Sequence, residues 1–452
     1  MSAVIQPWEQ MSGTAPMASG EPHRAIVCQP QGDITLSTFF AQVRGLAAHL
    51  PSGRYAINLC EDRYRFLLAF CAAAVRGQVT LLPPSRAPDV VDDVRATYPE
   101  SYCLGDGAFA PPPQYWRLPE VLTEIDGDMP ALDDATLVAI GFTSGSTGAP
   151  KPNPKTWGSF RTSTAQNLAA LRDLWPAHAT PHLVATVPPQ HMYGMEMSVL
   201  LPLLGNAAVH ASRPFFPEDV ARALREAAAP RLLVTTPVHL RALVESGVGL
   251  PPLVGIVSAT APLPQALAAA AEQQFGCEVR ELFGSTETCV IARRRTAQEH
   301  AWTLLPGVRL APQPDGTLVH AAHLEAAVAL ADVIELEGHD RFHLRGRNTD
   351  LLEIAGKRAS LGDLTRKLLA IPGVEDGVVF QLDEAGAAGV RRIAALVVAP
   401  TLSEAEIVAQ LRAGIDPVFL PRPLRRVDAL PRNETGKLPR EALQALLRGG
   451  VQ

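Results

Sequence analysis

The sequence predicts an α/β protein: a large N-terminal domain, residues 1–346, with doubly wound and mostly parallel sheets, then a small α+β domain, residues 347–452. Three observations predict it. Short apolar runs alternate with helical segments between residues 137 and 290. Polar loops follow several of those runs. Beyond about residue 346 the pattern shifts to short strands and helices over roughly one hundred residues.

Taken in order, residues 84–136 are rich in Pro, Gly and Asp and read as connecting loops with little regular structure. The apolar run Leu137 to Phe142 is a strand that ends in the small-residue loop TSGSTGAPK. RLLVTT, from Arg231, is a strand followed by the helical HLRALVES. Val254 to Val257 is the next strand, and Leu263 to Phe275 is a helix closed by Gly276. Cys277 to Phe283 completes the series. In such sheets ligands bind beyond the carboxyl ends of strands. The loops Thr143–Lys151, Ser258–Pro262 and Gly284–Glu287 are therefore expected to converge. In the C-terminal region Leu351–Ile354, Gly377–Leu382 and Ile393–Val398 read as strands. Leu361–Ala370, Ser403–Ala413 and the terminal PREALQALL read as helices.

Composition excludes several classes. Forty Lys and Arg against 46 Asp and Glu give a net charge of -6, which argues against a nucleic-acid coat or a basic membrane-surface protein. The longest uncharged stretch, Met197 to Ser212, is interrupted by Pro202, Gly205 and Asn206 and is too short to span a bilayer. The first residues lack a basic start followed by an apolar run, and the six cysteines form no CxxC pair, so a cytoplasmic protein with reduced, mostly buried thiols is expected. Only five lysines occur: Lys151, Lys155, Lys357, Lys367 and Lys437. Arginine supplies the remaining positive charge, so each lysine is a better functional candidate than usual, with solvent exposure as the default.

The strongest local signal is Thr143-Ser144-Gly145-Ser146-Thr147-Gly148-Ala149-Pro150-Lys151. Its glycines let backbone N–H groups approach an anion, and its hydroxyls donate to phosphate oxygens. It is not a Walker loop, because the GxxxxGK[ST] spacing is absent. A GxGxxG following a strand is also absent, which disfavours a dehydrogenase.

With this loop the chain resembles the adenylate-forming superfamily of acyl- and aryl-CoA synthetases, firefly luciferase and peptide-synthetase adenylation domains. Further signatures follow in the family's order. Phe283-Gly284-Ser285-Thr286-Glu287 is similar to the aromatic-Gly-x-Thr-Glu element. Asp332 stands where the family has a ribose-binding aspartate, although Leu330-Ala331 replaces the usual Thr-Gly. Gly346-Arg347 resembles the hinge segment, and PRNETGKLPR, ending at Arg440, the catalytic-lysine element.

The resemblance implies an ATP- and Mg2+-dependent acid–thiol ligase whose small domain is mobile. A carboxylate attacks ATP to give an acyl-adenylate, and a phosphopantetheine thiol then displaces AMP. It implies that Thr143, Ser144, Gly145, Ser146, Thr147, Gly148 and Lys151 cradle phosphate, and that Glu287 and Thr147 hold Mg2+, a hard cation suited to one carboxylate plus phosphate oxygens. Thr286 would meet the α-phosphate and Phe283 would lie against adenine, with Gly284, Ser285, Ser258, Ala259 and Thr260 also binding the nucleotide. Asp332 and Arg347 would serve the ribose. Lys437 would bridge the carboxylate and the α-phosphate, which otherwise repel. The acid pocket would draw on His191, Tyr193, Gly194, Met195, Ser258, Ala259 and Thr260.

Amino-acid-activating relatives place an aspartate near that pocket to pair with the substrate ammonium. Here the nearest carboxylate is Glu196, so an amino acid is disfavoured. The short chain and Lys155-Thr156-Trp157 resemble the ligases of aryl polyene and xanthomonadin pigment clusters, which load an aryl acid such as 4-hydroxybenzoate onto an acyl carrier protein. Two other readings stay open: an aryl- or fatty-acyl-CoA synthetase, and a non-catalytic relative that binds an acyl-adenylate. Thr349 and Glu353 depart from the family's hinge pattern and bear on the thioester step.

Overall fold

The computed structural model describes residues 13–107, 112–143, 151–313, 316–347, 351–354, 357–385, 391–433 and 436–449. Ser144, Gly145, Ser146, Thr147, Gly148 and Thr349 lie outside them. The chain forms two compact units, Met1–Val308 with Ala321–Ala326, and Arg309–His320 with Ala327–Gln452. The sequence reading drew the boundary at residue 346. By contacts, residues 309–320 and 327–452 cluster together, and within them Asp332–Glu337 and Arg341–Arg347 pair antiparallel and Gly316–His320 pairs with Val328–Leu330.

In the first unit one sheet runs in the order Lys151–Thr156, Leu137–Thr143, Val79–Leu82, Tyr55–Asn58, Ser101–Gly105, Tyr115–Arg117. All neighbours are parallel except the first pair. A second sheet has a parallel centre ordered Val279–Ser285, Gly255–Ser258, Arg231–Thr235, His182–Ala185, Ala208–His210, Ala25–Cys28. Parallel strands must bury both faces, and these runs are buried almost throughout. The doubly wound, mostly parallel expectation holds.

Residues 84–136 are more ordered than expected. Pro88–Thr97 is a helix, Ser101–Gly105 is a fully buried strand, and Tyr115–Arg117 and Ala131–Asp133 are short strands. Pro88 sits in the first helical turn, where proline starts a helix rather than breaking it. Val91 and Val94, three residues apart, bury one stripe against Val79, Cys103 and Ile140. The predicted helix at Leu263–Phe275 begins at Gln265 and ends at Gly276, whose φ of +66° closes it. The segment from Met192 carries a π-helical stretch, Glu196–Leu200, between α-helical turns Met192–Met195 and Leu201–Leu204.

In the second unit Asp376–Ala385, Arg391–Val398 and Leu424–Arg426 form a sheet buried on both faces. Ile393, Ala395 and Val397 pack with Leu364, Leu368, Ile407 and Leu411 from the helices Leu361–Leu369 and Glu404–Gly414. The alternate residues Ala394 and Leu396 face Leu443 and Leu447 of the last helix, Arg440–Leu447. Among the described residues no helix is long and apolar enough to cross a membrane.

Candidate active site

Three elements of the first unit meet at Gly141. A β-carbon there would fall 2.9 Å from Thr286 Cγ2 and 3.0 Å from Met192 Cε, so only glycine lets the Leu137–Thr143 strand, the Ser285–Val290 turn and the Met192 helix approach so closely. One residue beyond Phe142, half-buried Thr143 pairs with exposed Lys151 as the first rung of an antiparallel ladder. That rung joins the two ends of the Ser/Thr/Gly loop.

The Phe283–Glu287 segment is a tight hairpin rather than the open loop expected at Gly284–Glu287. Gly284 pairs with Val290 and Ser285 with Cys289, after a register irregularity between Phe283 and Gly284. A β-carbon on Gly284 would lie 2.1 Å from the Cys289 carbonyl oxygen. The turn closes internally: Thr288 Oγ1 accepts from Ser285 N at 3.1 Å, and Ser285 Oγ accepts from Thr288 N at 3.2 Å. Thr286 and Glu287 are left half-buried. Phe283 is half-buried, its ring 5.4 Å from that of Trp302, which in turn carries the Arg294 guanidinium at 4.3 Å.

Around this turn lies a set of buried polar groups. Lys155 is 4 % exposed, against the default for a lysine, and its Nζ donates to the Glu287 carbonyl at 2.9 Å. Glu196 is 1 % exposed and accepts from Val290 N, 3.2 Å from each carboxylate oxygen, and from Asn167 Nδ2 at 3.0 Å. Burial pushes the Glu196 carboxyl up to about 7 despite those donors and the Lys155 charge. His323 Nε2 meets the Thr288 carbonyl at 2.6 Å, and burial holds that imidazole down at about 4.

The predicted acid-pocket residues fall into two groups. His191, half-buried, caps the Met192–Met195 turn, and Thr260, at φ +82°, shapes the loop after the Gly255–Ser258 strand. Tyr193 and Met195 are buried; the Tyr193 hydroxyl donates to the Val257 carbonyl at 3.0 Å, tying that helix to the neighbouring strand end. Gly194 is required there, because a β-carbon would stand 1.9 Å from the Pro188 carbonyl oxygen. Ala259 is buried too, and fully buried Ser258 has no hydrogen-bond partner for its Oγ among the described residues. An orphaned hydroxyl at a strand's carboxyl end is suited to a ligand's polar atom.

Asp332, Arg347 and Lys437 belong to the second unit. Backbone register sets Asp332 directly opposite Arg347, and Thr317 Oγ1 donates to the Asp332 carbonyl at 2.7 Å. Lys437 is exposed on a tied loop. Its N–H donates to Asn433 Oδ1 at 2.9 Å, its carbonyl accepts from Asn433 N at 2.9 Å, and Gly436 turns the chain at φ +78°. Arg432 anchors the loop, bidentate to Asp376 at 2.7 and 3.0 Å.

Among the described residues no three His, Cys, Asp or Glu side chains gather into a metal cage. A cation held chiefly by nucleotide phosphates needs only one protein carboxylate, and the half-buried Glu287 on its pinned turn fits that requirement.

The family model for AMP-binding enzymes matches residues 54–315, and the chain belongs to that adenylate-forming family. It is 34% identical over 319 residues to a 4-coumarate–CoA ligase of Rhodobacter capsulatus, covering 69% of this chain and 77% of the relative. It is 24% identical over 477 residues to an indoleacetate–CoA ligase of Aromatoleum aromaticum, covering 95% and 90%. The fold is that of an o-succinylbenzoate CoA synthetase from Bacillus subtilis solved with its acyl-adenylate intermediate, at a TM-score of 0.81, 18% identity and 96% and 98% coverage. The protein is thus an AMP-forming acid–thiol ligase. Lys155 and Glu196 escaped the sequence reading as site residues. The scarcity of lysine and the Lys155-Thr156-Trp157 run drew notice to the first, and the second was noted only as the carboxylate nearest the pocket motif.

Proposed function

We propose that this ligase activates an aryl carboxylic acid of the 4-hydroxybenzoate or cinnamate type and passes it to a phosphopantetheine thiol, that of an acyl carrier protein. The observation that carries the choice of acid is Glu196. The carboxylate nearest the pocket motif is buried and committed to Val290 N and Asn167, so it offers nothing to a substrate ammonium. An amino acid would bury its charge unpaired. The 4-coumarate and indoleacetate ligases among the relatives also act on aromatic acids, as their names state. These names favour a second reading for the acceptor, free CoA.

In the proposed mechanism the acid's ring lies along the His191–Met195 segment and the Ser258–Thr260 loop. The pinned turn presents the Thr286 hydroxyl to the α-phosphate. Mg2+, when bound with ATP, offsets phosphate charge, and Glu287 and Thr147 are the residues that would hold it. Asp332 accepts hydrogen bonds from the ribose hydroxyls, with Arg347 beside it. Lys437 neutralises the approach of carboxylate oxygen to α-phosphorus; that bond forms as the bond to pyrophosphate breaks. With Lys437 withdrawn, the thiolate attacks the acyl carbonyl and AMP departs.

Comparing loading of a phosphopantetheinylated carrier protein with consumption of free CoA, using 4-hydroxybenzoate, tests the acceptor. Preferred carrier loading supports the proposal, and preferred CoA turnover replaces it with the second reading. For the ribose role, Asp332→Ala is expected to weaken ATP binding about tenfold while leaving acid binding within about twofold. Equal loss for both ligands contradicts it.

A further inference from the structure

We propose that Lys155 and Glu196 are positioning residues for MgATP: seated on two separate elements, they pin the backbone of the Ser285–Val290 turn and so set where Thr286 and Glu287 stand. The inference rests on reading Thr286 and Glu287 as the residues that meet the α-phosphate and Mg2+.

Both groups are buried, and a buried charge is kept only where hydrogen bonds satisfy it. The partners are main-chain groups at opposite ends of one turn. The Lys155 ammonium binds the Glu287 carbonyl, and the Glu196 carboxylate binds the Val290 N–H. Each ion thus matches the sign of the dipole it meets. His323 holds the Thr288 carbonyl between them. The turn needs such restraint, because Cys289 lies at φ +56°, in the left-handed region that non-glycine residues seldom adopt. Drawing the Glu287 carbonyl inward toward Lys155 leaves the Glu287 side chain half-buried on the turn, free of the internal tie.

Local features support the placement. Lys155 is the penultimate residue of the edge strand Lys151–Thr156, where Pro152 and Pro154 are tolerated, and the register shifts between Lys155 and Thr156. Glu196 opens the π-helical stretch. Two apolar residues of similar volume would fill the same space without desolvating an ammonium and a carboxyl group, so the retained polar pair implies a demand on the turn's geometry beyond packing.

Four variants test this: Lys155→Met, Glu196→Gln, the double variant, and Glu287→Ala as a control. The readouts are MgATP affinity by calorimetry, hydrogen exchange of amides 285–290 without ligand, and the thermal midpoint. Lys155→Met is expected to weaken MgATP about tenfold and to speed exchange in the turn. The double variant, with no lone buried charge, is expected to recover the thermal midpoint but not the affinity, and it carries the test if a single variant fails to fold. Wild-type MgATP affinity in either Lys155 variant overturns the proposal, as does affinity returning together with stability. Glu287→Ala separates the two levels: it should weaken MgATP while leaving turn exchange unchanged. Unaltered MgATP affinity in that control refutes the reading of Glu287 beneath the proposal.

Discussion

Two segments of this ligase each present one charged side chain from a tied backbone, and they are tied differently. The Ser285–Val290 turn presents Glu287 and is held by Lys155, Glu196 and His323, buried groups 132, 94 and 35 residues distant from their partners in sequence. The Arg432–Leu438 loop presents Lys437 and is held mainly from within, by Asn433 and Gly436, with one half-buried ion pair to Asp376. Long-range ties of buried groups make a rigid platform. Local ties make a unit that keeps its shape wherever it is carried. The proposed mechanism asks Glu287 to stay in place and Lys437 to serve only the first half-reaction, and the two kinds of tie suit those proposed roles.

The largest expected effect lies on the loop. On the proposed role of Lys437, Lys437→Ala should cost at least about 3–4 kcal/mol in adenylation. Because the side chain is exposed, the thermal midpoint should stay at the wild-type value. Full acid-dependent ATP–pyrophosphate exchange in this variant would take Lys437 out of the mechanism.

On the turn, Gly284→Ala brings a methyl group against the Cys289 carbonyl and should cost about 1–3 kcal/mol of stability, read from denaturant midpoints. A midpoint equal to wild type would mean that the hairpin is looser than the register indicates.

Arg432→Ala sharpens the contrast. Its pair with Asp376 is half exposed, so stability should change by less than about 1 kcal/mol. The rate of exchange should nonetheless fall, because the loop loses its anchor. A stability loss as large as that of Gly284→Ala would make the loop part of the core rather than a carried unit.

The turn also predicts a pH slope. Glu196 ionises near 4.5 in an unfolded chain and at about 7 when folded. The folded state therefore holds the extra proton between those values. This contribution to stability is complete below pH 4.5 and lost as pH rises through 7. The difference in stability between wild type and Glu196→Gln should vary across that window and level off above it. A constant difference from pH 4 to 8 would assign Glu196 an ordinary carboxylate.

The same contrast explains what could be read in advance. The candidate site motifs, the Thr143 loop, Phe283–Glu287, Asp332 and the Lys437 loop, could be picked out because they rest on local spacing. The alternating strands and helices from 137 to 290 were legible because burial imposes a period on each. Helix Pro88–Thr97 was hidden by its proline, which breaks helices in most positions but starts this one. The burial of Lys155 against Glu287 and the tie of Glu196 to Val290 depend on partners over ninety residues away, and no local pattern encodes them.

The account is tested most directly by acid-dependent ATP–pyrophosphate exchange with 4-hydroxybenzoate, cinnamates, medium-chain fatty acids and aromatic amino acids compared under one condition. Exchange strongest with the aryl acids and at background with the amino acids is the predicted result. Exchange strongest with an amino acid would contradict it, since Glu196 would then have to leave Val290 and Asn167 to meet the ammonium.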